Sequence, residues 1–284
     1  MKPLAVVGPP DADTAGLVEQ LTDRLGEHGR VGRVTRMPTE PTAGTGAPAK
    51  RWPDAGGTTD DGPTGGADRM YRITDDGWTA AGDSLSLSDA LGRLATSCDY
   101  ALVEGWSDPR LPTLALGENT GGDDDSLLRV ETANNVDTGA VVEKLDGVEP
   151  YETLESLVAQ AKGSPHSERA GAIATFTGRV RAKDSPDDDQ TEYLEFERYE
   201  GVAGERMATL REELEAREGV HEVLLHHRTG VVAAEEDIVF VVVLAGHRPE
   251  AFRTVEDGID RLKQEVPLFK KEVTVSGEFW AHEH

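Results

Sequence analysis

Cysteine is nearly absent from this 284-residue chain: Cys98 is the single one, which excludes an intrachain disulfide framework and any cysteine-rich metal centre. Aromatic residues are also scarce, at 5%, and hydrophobic residues reach only 37%, so the length is read as two domains with small cores. No apolar run approaches the roughly 18 residues that a membrane span requires, and no basic, apolar leader precedes a small-residue cleavage site. The expected location is a reducing cytoplasm. Positive charge is the last scarcity: 29 Lys and Arg face 54 Asp and Glu, a formal charge of -25. Such an excess argues against nucleic acid and against anionic membrane surfaces, which attract the opposite sign. The acids run through the whole chain instead of forming a tail. That is the pattern of adaptation to a salty cytosol, where self-repulsion is screened.

Among the cations that are present, lysine is the rarer. Three of the eight lysines fall within nine positions, as Lys263, Lys270 and Lys271. Lysine can act as a nucleophile or as a point-charge ligand for an anion, whereas arginine stays protonated and reads oxyanions with its planar fork. The cluster is therefore the first pointer to chemistry.

Along the chain, Leu4-Ala5-Val6-Val7-Gly8 reads as a buried strand, followed by a helix over Leu17 to Leu25 and a strand near Val31 to Val34. The stretch 39–66 is dense in Gly, Pro, Thr, Ala and Asp without periodicity, and reads as a flexible insertion. Strands are expected at Arg69 to Ile73, Tyr100 to Glu104 and Leu111 to Leu116, with a helix at Leu85 to Leu94 and another over Val148 to Ala161. The alternation predicts an α/β layer with a mainly parallel sheet. Beyond a boundary near 162–166, strands are expected at Gly171 to Val180, Tyr193 to Tyr199, Val220 to Val232 and Ile238 to Ala245. Helices complete the pattern at Val202 to Arg217 and Pro249 to Glu265. Pro267 then stops regular helix.

The first strand-loop-helix unit stands where a phosphate-binding loop would sit. A working loop needs glycine for exposed amides, lysine for the phosphates and Ser or Thr for Mg²⁺. Here Asp13, Thr14 and Ala15 occupy those places, so negative charge stands where phosphate would rest. Three stretches nevertheless resemble the MobB family of P-loop GTP-binding proteins linked to molybdenum cofactor maturation: Leu4-Ala5-Val6-Val7-Gly8-Pro9, Ile73-Thr74-Asp75-Asp76-Gly77, and Tyr100 through Trp106 followed by Arg110-Leu111-Pro112. The resemblance implies a degenerate P-loop-like α/β domain over 1–117, followed by a connecting region over 118–166.

In the second half, three basic patches stand out: Arg179 with Arg181, His247-Arg248, and Lys263 with Lys270-Lys271. They fall at strand ends and helix termini, where α/β proteins present ligands, and together describe a pocket for an anionic substrate. Each also has a plainer reading, as a solvated edge for the arginines, a helix start for His247, and snorkelling or solvated charge for the lysines. Spacing alone does not choose between them.

Five ordered stretches over 167–281 resemble the MoaE family, the large subunit of molybdopterin synthase. They are Gly171 through Arg181, Leu194 through Tyr199, His227-Arg228-Thr229-Gly230, His247-Arg248-Pro249-Glu250-Ala251-Phe252, and Leu262-Lys263 through Glu272. The resemblance implies an α/β hammerhead fold over 167–284 and a central homodimer within a heterotetramer. Each subunit would bind a small ubiquitin-like sulfur carrier (MoaD-like) through its C-terminal Gly-Gly thiocarboxylate. The implied reaction converts cyclic pyranopterin monophosphate, precursor Z, into molybdopterin by two sulfur transfers. Carried over by motif, the resemblance implies Lys263 and Lys270 as the catalytic pair, and Arg181, His247, Arg248 and Lys271 as substrate-binding residues. No cofactor and no metal site is expected. Two other functions remain open at this point: a non-catalytic scaffold for the carrier, and a GTP-dependent delivery protein for the finished cofactor.

Overall fold

The structure, a computed structural model, describes residues 1–9, 12–36, 69–75, 77–82, 84–106, 108, 110–117, 126–183, 185–199 and 201–281. The stretch 39–66 lies outside the described residues. The first sheet has five parallel strands in the order β2-β5-β1-β6-β7: β1 (Lys2–Val7), β2 (Val31–Thr35), β5 (Tyr100–Glu104), β6 (Thr113–Leu116) and β7 (Leu128–Val130). Strand alternation divides its core between two faces. Leu4, Val6, Leu102, Leu114 and Leu116 pack against α1 (Thr14–Gly26) and α3 (Thr138–Asp146), through Leu17, Leu21, Leu25, Val141 and Leu145. Ala5, Ala101 and Val103 face the other way, towards Leu91 of α2 (Leu87–Ala95). Helices on both faces of a parallel sheet make this a doubly wound α/β layer. A separate hairpin, β3 (Arg69–Thr74) with β4 (Gly77–Gly82), precedes α2.

The second half builds two antiparallel sheets. One has the order β10-β12-β8, from β8 (Ala172–Arg179), β10 (Val220–His227) and β12 (Asp237–Ala245). Its central strand is apolar on both sides. Val239, Val241 and Val243 meet α5 (Val202–Glu215) and α6 (Arg248–Glu265), while Phe240, Val242 and Leu244 meet Leu157 and Ala161 of α4 (Leu154–Lys162). The other sheet has the order β11-β9-β13-β14, from β9 (Thr191–Arg198), β11 (Gly230–Ala233), β13 (Leu268–Thr274) and β14 (Gly277–Ala281). The middle of the chain serves both halves, since α3 completes the first core and α4 covers a face of the second.

Several sequence expectations are corrected here. The strand read over Val220 to Val232 is two, β10 and β11, which lie in different sheets; the chain turns at Arg228-Thr229, and Gly230 has φ +73, a conformation glycine adopts without a Cβ clash. The helix read over Val148 to Ala161 begins only at Leu154, where Thr153 and Ser156 form a reciprocal capping box. Strands β13 and β14, which follow Pro267, were not anticipated. No helix among the described residues is long and apolar enough to cross a membrane.

A cationic cavity between two sheets

Six strands and a helix end converge on a cavity of about 360 Å³ between the two antiparallel sheets. Arg179 and Arg181 come from the end of β8, Leu194 and Phe196 from β9, Lys263 and Val266 from the end of α6, and Lys270 with Glu272 from β13. Four cationic side chains thus meet a single carboxylate, in a protein whose overall charge is -25. The cavity reverses the sign of the molecule locally, which favours an anionic ligand.

The local sequence explains each position. Helix α6 starts with Pro249 in its first turn and is anchored by Val255, Ile259 and Leu262, which recur at helical spacing and are buried against the sheet. The residue after Leu262 is turned by about 100° around the axis, so Lys263 projects from the last turn while its neighbour is held in the core. A cation there also complements the negative end of the helix dipole. Among the described residues no hydrogen bond or ion pair engages the Lys263 ammonium. On β13, Lys270 pairs in register with Phe196 of β9, and Glu272 with Leu194, which sets both on the cavity side. The Glu272 carboxylate accepts a hydrogen bond from the buried Thr191 hydroxyl. Gly178 lets β8 approach β12 closely: a Cβ there would stand 2.5 Å from Val239 Cγ1.

Lys271, one residue on, lies outside the cavity lining. Its ammonium is 2.7 Å from Glu278 and 3.9 Å from Glu195, and the Glu278 hydrogen bond holds its pKa above the ordinary lysine value. His247 and Arg248 also lie apart, exposed at the first turn of α6. Fifteen residues of helix separate Arg248 from Lys263, about 22 Å at 1.5 Å per residue. One chain therefore gathers Arg181, Lys263 and Lys270, joined by Arg179, and leaves His247, Arg248 and Lys271 outside.

His227 is the lining residue that the residue-level reading did not single out, although its motif was part of the family resemblance. It is buried at 6% exposure, with its ring edge-on to Phe196 at 4.8 Å. Its Nδ1 is 2.7 Å from the Arg228 carbonyl, which can only accept, so Nδ1 carries the proton. Phe269 and Trp280, 51% and 53% exposed, form the apolar part of the rim.

The N-terminal loop tells a different story. The Asp13 carboxylate caps α1, accepting from the Gly16 amide at 2.9 Å. Thr14 Oγ1 donates to Glu104 Oε1 at 3.3 Å across the ends of the strands. An acidic side chain of the protein itself thus takes the amide that a bound phosphate would use.

The family model described as MoaE protein matches residues 149–265. A probable molybdopterin synthase of Haloferax volcanii is 54% identical over 222 residues, covering 78% of this chain and 84% of that relative. The molybdopterin synthase catalytic subunit of Cereibacter sphaeroides is 40% identical over 132 residues, 46% of this chain and 86% of the relative. In structure, the molybdopterin synthase of Staphylococcus aureus matches with a TM-score of 0.42 at 31% identity, over 48% of this chain and 94% of that one. With 54% identity over 222 residues that span 84% of the Haloferax volcanii relative, the chain belongs to the MoaE family, that of the molybdopterin synthases of molybdenum cofactor biosynthesis.

Proposed function

We propose that the protein is the large, sulfur-transferring subunit that converts precursor Z into molybdopterin, with thiocarboxylated, ubiquitin-like carriers as the sulfur source. The observation that carries this reading is the meeting of Lys263, Lys270 and Arg181 in one cationic cavity of a strongly acidic protein. Arg181 holds the substrate phosphate by charge-assisted hydrogen bonds. Lys270 binds the carboxyl end of the carrier. The carrier's sulfur attacks an electrophilic carbon of the pterin side chain, the bond from that carbon to its oxygen substituent breaks, the oxygen leaves with the electron pair and takes up a proton, and a thioester link joins carrier and substrate. Water then adds to the thioester carbonyl, the carbon–sulfur bond to the carrier breaks, and sulfur stays on the substrate while the carrier leaves as a carboxylate. Lys263 stabilises the oxyanion of that addition, where a fixed ammonium is worth more than solvent. A second charged carrier repeats the sequence.

His247 and Arg248 are too far along α6 to serve the cavity of their own chain. In this reading two copies associate and each places this pair at its neighbour's cavity, within a heterotetramer completed by two carriers. Lys271 fastens β13 to β14 and β9 through Glu278 and Glu195 and so steadies Lys270. The chain is read as 1–117, a connecting region 118–166 that adds β7 and α3 to the first layer and α4 to the second, and 167–284. The first part is a MobB-like layer whose phosphate site is closed by Asp13. The protein is read as cytoplasmic, where Cys98 stays a thiol.

The test is an assay of the purified protein with precursor Z and thiocarboxylated carrier. Dithiolene product is expected. Carrier binding without product would leave only a scaffold and overturn the enzyme reading.

A further inference from the structure

A side-chain bridge joins the N-terminal layer to the strand that carries the cavity arginines. Arg110, in the loop between β5 and β6, is held by Asp108 through Nη2 at 2.9 Å and Nε at 3.0 Å. Its Nη1 donates to Glu236 Oε1 at 3.1 Å, in the turn between β11 and β12. That turn is bonded in both directions to Val180. The Val180 amide donates to the Glu236 carbonyl at 2.9 Å, and the Glu235 amide donates to the Val180 carbonyl at 2.8 Å. Val180 is buried, and the residues on either side of it, Arg179 and Arg181, both line the cavity. Arg179 is itself fastened to the turn, through the Glu235 carbonyl and through Asp237 at 3.1 Å.

Two local bonds close the turn, from the Glu236 amide to the Ala233 carbonyl at 3.1 Å and from the Ala233 amide to Glu236 Oε2 at 3.2 Å, so the same carboxylate that Arg110 holds also closes the turn. Glu235 has φ 69, a left-handed conformation unfavourable for a residue with a Cβ, and persists because its surroundings fix it. An isolated surface ion pair would contribute little to that. Here Asp108 has already oriented the guanidinium, so the bond to Glu236 orders fewer free rotors.

We propose that Arg110 is a positioning residue for the cavity: by holding Glu236 it fixes the 235–237 turn, and through the Val180 backbone it sets the direction of Arg181. The inference rests on the reading of the cavity as the site of a phosphate-bearing substrate. It gives the N-terminal layer a part in the reaction that needs no nucleotide.

The full-length variants Arg110→Ala, Glu236→Gln, their combination, and Arg110→Lys test it with two readouts. In the synthase assay, Arg110→Ala raises KM for precursor Z about three- to tenfold with kcat within about twofold, as expected for loss of substrate positioning. Glu236→Gln does the same, the double variant is no worse than the worse single, and Arg110→Lys recovers part of the loss. In hydrogen exchange, the peptides containing Val180 and Glu235 lose protection in Arg110→Ala. An unchanged KM, an equal fall in kcat, or additive single effects overturns the proposal. So does unchanged exchange at Val180 and Glu235, whether or not the wild type turns over. If the wild type forms no product while the exchange shift is present, the synthase reading fails and the bridge stands. Should Arg110→Ala not fold, judged by circular dichroism, Glu236→Gln and Arg110→Lys carry the same comparison.

Discussion

At the scale of the residue, the three lysines that share a short stretch of sequence separate into different surroundings. Lys263 and Lys270 line the cavity, whereas Lys271 is bound to Glu278. Lys263→Ala and Lys270→Ala should each lower single-turnover product formation by about 10²- to 10³-fold, the usual cost of one oxyanion-stabilising group. Lys271→Ala should cost no more than about tenfold, since it acts through strand placement. Equal losses for all three would contradict the division of roles. A second residue predicts a pH effect. Burial, then the charges of Arg228, His227 and Arg198, push the His226 imidazole down from 6.5 to about 3, and its ring stacks on Phe240. The unfolded chain takes up a proton below about pH 6.5 that the native state refuses until about pH 3. Stability therefore falls as pH drops through that window, by up to about 1.4 kcal/mol per pH unit from this group. The Asp108 carboxyl, lowered by its hydrogen bond to Arg110, gives stability that is lost only at more acid pH, below the ordinary Asp value of 3.8. Urea denaturation between about pH 4.5 and 6.5 should thus show a shallower pH slope for His226→Phe than for the wild type. Identical slopes would remove His226 as the cause.

At the scale of the element, α6 carries the reacting end of the cavity. Leu262 is 1% exposed and fixes the last turn against the sheet. Leu262→Ala should cost about 2–5 kcal/mol in urea denaturation. It should also lower activity beyond the fraction unfolded, because Lys263 follows it directly. Full activity in the folded fraction would mean that the turn is held by other contacts. This helix was legible in the sequence from its apolar spacing, and β12 from its continuous apolar run as the central strand. Strands β13 and β14 were not, because Pro267 reads as a stop and the charged run Lys270-Lys271-Glu272 hides the alternation that sets one lysine in the cavity and the next outside it. The break between β10 and β11 rests on Arg228-Thr229-Gly230 alone, too short a signal within a run rich in valine and leucine. In the candidate site, residue types marked all the basic patches alike, and the family resemblance gave roles to Arg181, Lys263 and Lys270 together with His247, Arg248 and Lys271. The separation of His247 and Arg248 from the first three was not visible, because it depends on the length of α6 and on its burial along one face.

At the scale of the whole molecule, 54 acids against 29 bases leave strong self-repulsion at low ionic strength. The Debye length grows from about 3 Å at 1 M salt to about 10 Å at 0.1 M. Thermal unfolding should therefore move down by several degrees or more on dialysis from molar to about 0.1 M KCl. A melting temperature independent of salt would argue that the acids are offset locally. The two antiparallel sheets bear on a different whole-molecule property. The hydrogen bonds just past the strand ends continue ladders within each sheet: Val180 to Glu236 and Glu235 to Val180 extend β8 with β12, Arg228 to Ile238 extends β10 with β12, and Ala234 to Glu192 extends β11 with β9. The facing surfaces of the two sheets meet through side chains around the cavity. The two sheets are separate ladders, so the spacing between them is held by side-chain packing around the cavity and not by strand pairing. Room for a larger occupant is thus a matter of side-chain rotamers, with both ladders left whole.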